Sequence, residues 1–436
     1  MAAVTEQTEK TDPLVEFSDR TRAWFERSFE APTPAQQLGW PAIATGANTL
    51  ICAPTGSGKT LTAFLWGIDS LAREKAQRVE AEAAQPSGVS LVYVSPLKAL
   101  SYDVERNLRA PLAGIGADLS VALRTGDTPQ RERQAMIRKP PDILITTPES
   151  LYLMLTSQAR DILTDVEALI VDEIHAVAPT KRGAHMALTL ERLERHVAVN
   201  ANDGAGREAP VQRIGLSATQ RPLERIGKFL VGPQRECTIV DAGISKEMDL
   251  EIVVPVADMA DPGSTAAAPN GAAPAGDGVE LPGPEPSAPG AVPGDSPSRG
   301  IWPAIYPELL KLVREHTSTI IFVNNRRGAE RLAKRLNEMN AEELDEAEAE
   351  AQPSTTPEAG TEIARAHHGS LAREERLKVE ELLKSGRLPC IVATSSLELG
   401  IDMGAVDLVI QVESPKSVAR GMQRVGRAGH ELGAVS

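Results

Sequence analysis

Residues 53–60 read APTGSGKT, and they combine glycines, a lysine and a threonine in a span that could hold a chain of phosphates. An apolar run precedes this loop and a helical pattern follows it, so backbone N–H groups and a helix N-terminus would face the same anion. We predict that Lys59 reaches the β- and γ-phosphates of ATP and that Thr60 binds Mg²⁺. The remaining phosphate-cradling residues are Thr55, Gly56, Ser57 and Gly58.

A second apolar run, at 168–171, ends in the acidic pair Asp172 and Glu173. Adjacent carboxylates at a strand end suit Mg²⁺ binding and water activation in a chain that already has a phosphate loop. Asp172 would hold the metal, through water, and Glu173 would orient and deprotonate the attacking water.

Two further segments complete a predicted nucleotide site. Gln36 lies in PTPAQ at 32–36, where its amide could pair with the edge of adenine while Phe29 stacks on the base. Arg424 and Arg427 lie three residues apart in QRVGRAGH at 423–430 and share one helix face. Facing the first domain across a cleft, they could neutralise charge growing on the γ-phosphate, and His430 could donate to a phosphate.

The elements that would position these residues are short, β-branched apolar runs at α/β spacing. Five occur before residue 245 and three after residue 300, at 49–53, 90–95, 142–146, 168–171, 213–216, 319–323, 390–393 and 408–412. Helical patterns such as 186–196 and 326–340 alternate with them. We therefore predict an α/β fold of two tandem RecA-like doubly wound parallel-sheet domains, at 1–245 and 300–436.

The net charge of −14 is concentrated in two low-complexity segments. The Pro/Ala/Gly-rich stretch 257–299 has a net charge of −5 and is predicted to be a disordered interdomain insert. The acidic stretch 341–362 has a net charge of −8 and is predicted to be a long loop or frayed helix. The rest of the chain is nearly neutral, so its charge does not exclude a nucleic-acid partner. Neither a membrane span nor a signal peptide is predicted, and three scattered cysteines fit a cytoplasmic protein.

The motifs together resemble helicase superfamily 2, and most closely its Lhr (large helicase-related) proteins of bacteria and archaea. Besides the segments above, the resemblance rests on SPLKAL at 95–100, RTGD at 124–127, TTPESL at 146–151, DEIH at 172–175, SAT at 217–219, FVNNRR at 322–327, HHGS at 367–370 and TSSLELGID at 394–402. It covers nearly the whole chain outside the two inserts.

The resemblance implies a role for each matching residue. Ser217 and Thr219, with His175, would couple hydrolysis to domain movement, and Asp402 would contact the ribose or a catalytic arginine. Six residues would face the nucleic-acid backbone: Lys98, Arg124, Thr147, Asn325, His368 and Thr394. Many relatives have a third arginine where this chain has His430, so Arg427 becomes the predicted arginine finger and Arg424 supports it.

The implied activity is ATP-driven, 3′-to-5′ movement on single-stranded DNA, with unwinding of DNA or RNA:DNA duplexes and a role in DNA repair. An RNA helicase and an ATP-dependent nucleic-acid clamp remain alternatives, and no obligate protein partner is inferred. Lhr-type chains continue well beyond the last motif, so a sequence that stops at Ser436 is expected to be a fragment.

Overall fold

The computed structural model describes residues 3–4, 12–54, 56–82, 88–200, 210–218, 221–243, 249–254, 256, 301–350, 362–398 and 406–429. These residues divide into two compact units, the first mainly up to residue 243 and the second mainly from residue 249. The predictions for Thr55, Thr219, Asp402 and His430, and for the insert at 257–299, lie outside the described residues.

The first unit is built on a sheet of eight parallel strands in the order β1-β8-β2-β7-β6-β3-β5-β4. The strands are β1 Ala3–Val4, β2 Thr49–Cys52, β3 Leu91–Val94, β4 Val121–Arg124, β5 Ile143–Thr146, β6 Ala168–Val171, β7 Gln212–Ser217 and β8 Thr238–Asp241. Each crossover from one parallel strand to the next requires a connection above or below the sheet, so helices cover both faces.

Helices on the two faces enclose two hydrophobic cores. Successive residues of a strand alternate between these cores: Leu50 and Cys52 pack on one side, and Ile51 and Ala53 on the other. The covering helices are α1 Asp19–Ser28, α2 Pro34–Ala44, α3 Lys59–Glu80, α4 Lys98–Ile115, α5 Gln130–Arg138, α6 Pro148–Leu155, α7 Ile174–Val177, α8 Lys181–Asn200 and α9 Leu223–Val231.

The second unit has four parallel strands in the order β10-β11-β9-β12. The strands are β9 Thr319–Phe322, β10 Ala364–His367, β11 Cys390–Ala393 and β12 Leu408–Gln411. The helices are α10 Trp302–Glu315, α11 Arg326–Glu350, α12 Arg373–Lys384 and α13 Val418–Val425. A core of Leu, Ile, Val and Ala side chains joins α10 and α11 to the sheet.

The predicted fold class of two parallel-sheet α/β domains is confirmed. All eight predicted runs are strands, with ends shifted by at most one residue, whereas β1, β4, β8 and β10 were not predicted. The acidic stretch is a helix rather than a loop at its start, because α11 continues to Glu350, and residues 351–361 lie outside the described residues. Among the described residues, no helix is long and apolar enough to cross a bilayer.

Candidate active site

The carboxyl ends of six neighbouring strands carry the predicted site residues of the first domain. Cys52 at the end of β2 pairs with Ser217 at the end of β7, and β6 follows on the far side of β7. β2 and β6 lead into residues predicted to bind ATP and its metal, and β7 ends at Ser217, a predicted coupling residue. On the other side of β6, Val94, Thr146 and Arg124 align at the ends of β3, β5 and β4, which lead into the predicted nucleic-acid residues.

The phosphate loop has the backbone that an anion cradle requires. Gly56 and Gly58 have φ angles of 80° and 78°, in the left-handed region that favours glycine. A Cβ at Gly58 would lie 3.0 Å from the Nε2 of Gln36, so a side chain there would push the Gln36 amide away. The buried Lys59 donates from Nζ to the carbonyls of Ala53 and Pro54, at 2.7 and 2.6 Å. Phosphate oxygens could take the place of these acceptors.

Asp172 is buried, and each of its carboxylate oxygens accepts a hydrogen bond. The Tyr93 hydroxyl donates to Oδ2, and the backbone N–H of Glu173 donates to Oδ1 at 2.8 Å. Burial, followed by the neighbouring Glu173 charge, raises the pKa of Asp172. Burial and the Asp172 charge raise the pKa of Tyr93 well above its ordinary value, so this hydroxyl remains a donor.

His175 connects the acidic pair to the end of β7. Burial, and then the charge of Lys59, lowers the pKa of His175 to about 4, so the imidazole is neutral at pH 7. Nδ1 accepts the backbone N–H of Ala218 at 3.0 Å, which leaves the proton on Nε2. That nitrogen lies 3.3 Å from Oε2 of Glu173. The predicted coupling residue therefore contacts both the predicted base and the segment that follows Ser217.

The predicted adenine-reading glutamine is part of a capping box at the start of α2. Oε1 of Gln36 accepts the backbone N–H of Thr33 at 2.8 Å, and the Thr33 hydroxyl accepts the N–H of Gln36. The same hydroxyl donates to the carbonyl of Ser57 at 2.8 Å, which joins the helix cap to the phosphate loop. Phe29 ends α1 with its ring against Trp24 and Phe25, and it is 42% exposed.

The predicted nucleic-acid residues of the first domain lie on adjoining loops. Lys98 begins α4 and forms an ion pair with Asp127 at 2.6 Å. Arg124 is partly buried, and this burial, followed by the charge of Arg133, lowers its pKa. Thr147 follows β5 and donates to the Ser150 hydroxyl at 3.1 Å.

The second domain also gathers its predicted nucleic-acid residues at the carboxyl edge of its sheet. Asn325 caps the start of α11, where its Oδ1 accepts the N–H of Gly328 at 2.7 Å. His368 follows β10, is buried, and pairs with Glu330 at 2.9 Å. Thr394 follows β11, whose last residue aligns with the last residues of β9 and β10.

The two candidate arginine-finger residues are buried in the described part of the second domain. Nη1 of Arg424 donates to the Gln411 side chain at 2.7 Å, and its guanidinium lies 5.1 Å from the centre of the Phe322 ring. Arg427 follows α13 within a turn that ends at Gly429, whose N–H donates to the carbonyl of Val406.

Three residues that bind a predicted site residue or its sequence neighbours were not predicted from the sequence. Tyr93 binds Asp172, and Arg133 donates to the carbonyls of Thr125 and Gly126, which fixes the loop beside Lys98. His367 lies fully buried between the Ser396 hydroxyl and the Glu380 carboxylate, at 2.8 and 3.0 Å. Of these three residues, only Tyr93 could have been noticed in the sequence, as a polar residue within an apolar strand pattern.

The arrangement fits a magnesium-bound nucleoside triphosphate. Among the described residues, no three His, Cys, Asp or Glu side chains form a metal cluster. Mg²⁺ commonly uses one or two protein oxygens together with substrate phosphates and water. The buried carboxylate of Asp172, beside a glycine loop and a lysine, matches that mode of binding.

Family models match both domains. Residues 33–226 match the DEAD/DEAH box helicase family, and residues 304–431 match the helicase conserved C-terminal domain. At much lower identity, the DEAD-box helicase Mss116 bound to ssRNA and UDP-BeF shares the fold, with 16% identity and a TM-score of 0.67 over 98% of this chain and 74% of that one.

Closer relatives are much longer proteins. The Lhr helicase/probable uracil glycosylase of Mycolicibacterium smegmatis is 49% identical over 98% of this chain and 27% of the relative. The ATP-dependent helicase Lhr-Core of Methanocaldococcus jannaschii is 39% identical over 94% of this chain and 42% of the relative. A structure of Mycobacterium smegmatis helicase Lhr bound to ssDNA and AMP-PNP is 50% identical, with a TM-score of 0.74, over 98% of this chain and 48% of that one.

The chain thus spans about a quarter of the bacterial relative and under half of the archaeal one. Both matched helicase domains and the identity across nearly the whole sequence agree with the motif order. This chain belongs to the Lhr family of superfamily 2 helicases, and it corresponds to their two-domain helicase core.

Proposed function

We propose that this chain is an ATP-hydrolysing motor that moves along single-stranded DNA, in the 3′-to-5′ direction. The observation that carries the proposal is the shared sheet edge of the first domain. There the phosphate loop, the Asp172–Glu173 pair and the His175 contact to Ala218 lie on three adjacent strand ends. A relative with 50% identity bound to ssDNA and AMP-PNP supports the choice of ligands.

Each residue of this edge has a defined task in hydrolysis. Lys59 and the glycine loop would bind the β- and γ-phosphates, while Thr60 and Asp172 would hold Mg²⁺. When bound, Mg²⁺ supplies positive charge that offsets the charge of the phosphate oxygens. Glu173 would accept the proton of the attacking water, and the Nε2 proton of His175 would keep the Glu173 carboxylate oriented. Arg427, supported by Arg424, would stabilise charge on the γ-phosphate.

The neutral imidazole of His175 would couple ATP hydrolysis to domain movement. A change in the position of Glu173 alters the contact with Nε2, and the Nδ1 bond transmits it to Ala218, between Ser217 and Thr219. The loops beyond β3, β5 and β4, with those of the second sheet, would bind the phosphates and sugars of the DNA strand.

Unwinding of DNA or RNA:DNA duplexes and a role in DNA repair follow as proposals from the family. Three buried, unpaired cysteines support a reducing, cytoplasmic location.

The proposal is tested by measuring phosphate release with and without single-stranded DNA. We expect turnover to rise when DNA is added, because only a bound strand would complete the coupled arrangement. Equal turnover in both conditions would exclude a motor on DNA. Matched RNA strands in competition separate a DNA motor from an RNA helicase, and strand binding that requires ATP without phosphate release would identify a clamp.

A further inference from the structure

Tyr93 is a buried polar residue in the middle of a hydrocarbon layer. It is the third residue of β3, whose other residues are Leu91, Val92 and Val94, and it is fully buried. Its ring packs against Phe64 of α3, with ring centres 4.7 Å apart and planes inclined by 33°. A phenylalanine would make the same ring contact, so packing gives no reason for the hydroxyl.

The hydroxyl has a specific acceptor on the neighbouring strand. β3 pairs with β6, and the chain beyond β6 places Oδ2 of Asp172 within hydrogen-bond reach of the Tyr93 hydroxyl. The other oxygen, Oδ1, accepts the Glu173 N–H. Because the two donors hold different oxygens, they fix both side-chain torsions of Asp172 and hence the plane of the carboxylate.

We propose that Tyr93 is a positioning residue, which holds the carboxylate of Asp172 in the orientation needed to bind a magnesium-bound nucleotide. The inference rests on the proposed ATP hydrolysis, and it adds a residue to which the motifs give no role. Each carboxylate oxygen has two acceptor sites, so one remains on each oxygen for a metal-bound water after both donors are satisfied. Without the hydroxyl, a buried carboxylate would keep only the backbone donor and could rotate about its last bond.

The test compares nucleotide affinity with and without the metal in Tyr93→Phe. The probe is a fluorescent, non-hydrolysable ATP analogue, titrated once in excess Mg²⁺ and once in excess EDTA. We expect the gain in affinity due to Mg²⁺ to fall on the order of tenfold, as for loss of a hydrogen bond to a charged group. Affinity in EDTA should stay the same, because the phosphate loop is unchanged. An unaltered magnesium gain would overturn the proposal.

Three further variants separate positioning from folding and from the wider function. Tyr152→Phe removes a hydroxyl from a ring that packs on His185, and it should leave the magnesium gain intact. Phe64→Leu disturbs the ring packing but keeps the Tyr93 hydroxyl, so thermal stability should fall while the gain persists. If Phe64→Leu reduced the gain as much as Tyr93→Phe, packing would explain the effect and the proposal would fail.

Asp172→Asn serves as the reference for a lost metal contact. Its magnesium gain should be smaller than that of Tyr93→Phe. If Asp172→Asn retained the full gain, the metal assignment of the proposed function would be wrong, and the role of Tyr93 with it. Each magnesium gain is the ratio of the affinities measured with Mg²⁺ and with EDTA on one preparation. A fraction of inactive protein therefore does not change it.

Discussion

At the scale of single residues, the backbone conformation of Glu173 sets the position of the acidic pair relative to His175. Glu173 has φ 46° and ψ 38°, a left-handed conformation that a residue with a side chain rarely adopts. This conformation ends the extended chain after β6 and begins α7, so that His175 comes back within 3.3 Å of the Glu173 carboxylate. Strained backbone of this kind is common at functional sites.

Replacing Glu173 by glutamine should separate binding from hydrolysis. The amide cannot accept the proton of the attacking water, so we expect turnover to drop by about 10²–10⁴-fold, the usual contribution of a general base. ATP affinity should change little, because the phosphate loop and Asp172 remain. Phosphate release and equilibrium nucleotide binding measure the two effects. Glu26→Gln, on the exposed face of α1, is the matched control; parental turnover in Glu173→Gln would refute the assignment.

The residues predicted from the sequence are those whose types and spacing are typical of phosphate and metal binding. Lys59 within a glycine loop and Asp172 at a strand end belong to this group. Tyr93 binds the site residue Asp172, 79 positions away in sequence. Arg133 binds backbone carbonyls 7 and 8 positions away, and His367 binds side chains 13 and 29 positions away. Such contacts depend on how strands pair, and no local pattern in one sequence records that pairing.

At the scale of elements, every strand that is buried at all its positions was predicted. β2, β3, β5 and β11 are buried at every position, so each gives an apolar run. β4 is only partly buried throughout and ends in Arg124, while β10 reads ARAH, and neither has a clear apolar pattern. Of the two alternatives predicted for the acidic stretch, a long loop or a frayed helix, the helix is present as far as Glu350, because glutamate and alanine favour helices.

An ion network ties β7 to α8 and predicts a large loss of stability on disruption. Arg213 of β7 is 1% exposed and binds Glu191, at 2.8 Å, Glu194 and the carbonyl of Leu230. Arg213→Met should lower the free energy of unfolding by about 2–3 kcal/mol, less than for a fully enclosed pair because Glu191 reaches solvent. Urea unfolding measures it, with the exposed Arg195→Met as control. A loss no larger than that of the control would contradict the structural role.

The same network should make the stability of the protein fall more steeply as the pH is lowered. Hydrogen bonds from Arg235, and then Arg213, lower the pKa of Glu191 from 4.5 to about 2. The unfolded chain therefore binds the proton first, so the stability from Glu191 is fully present above pH 4.5 and is lost as the pH falls towards 2. Glu191→Gln should flatten the fall in urea midpoint across that interval. The exposed Glu224→Gln is the control, and its urea midpoint should fall with pH as steeply as that of the parent. If the parent and both variants had the same slope, the lowered pKa of Glu191 would be contradicted.

At the scale of the whole molecule, the acidic charge is separated along the sequence from the motif residues. The segments 257–299 and 341–362 hold −13 of the net −14, and neither contains a motif residue. The remaining chain is close to neutral, so its basic side chains can act locally. Lys98, Arg124 and Arg133 form such a local group on the first domain.

Neutralising the first acidic segment should strengthen DNA binding only at low salt. The change converts its six acidic residues to the matching amides: Asp258, Asp261, Asp277, Glu280, Glu285 and Asp295. Repulsion of the polyanion would decrease, and salt would mask the difference because screening acts over about 10 Å at 0.1 M. Fluorescence anisotropy across a salt series measures it, and ATPase activity without DNA should stay constant. An equal gain at high salt would instead indicate a direct contact.

The hydrogen bond between Thr33 and Ser57 has a consequence for substrate selection. One hydroxyl caps α2 and also holds a carbonyl of the phosphate loop, so the first turn of α2 and the loop move together. If Gln36 reads adenine, the identity of the base is transmitted to the groups that hold the reacting phosphates. Discrimination should then be kinetic: a triphosphate with another base would reduce kcat more than it raises KM, and Thr33→Val would weaken that difference.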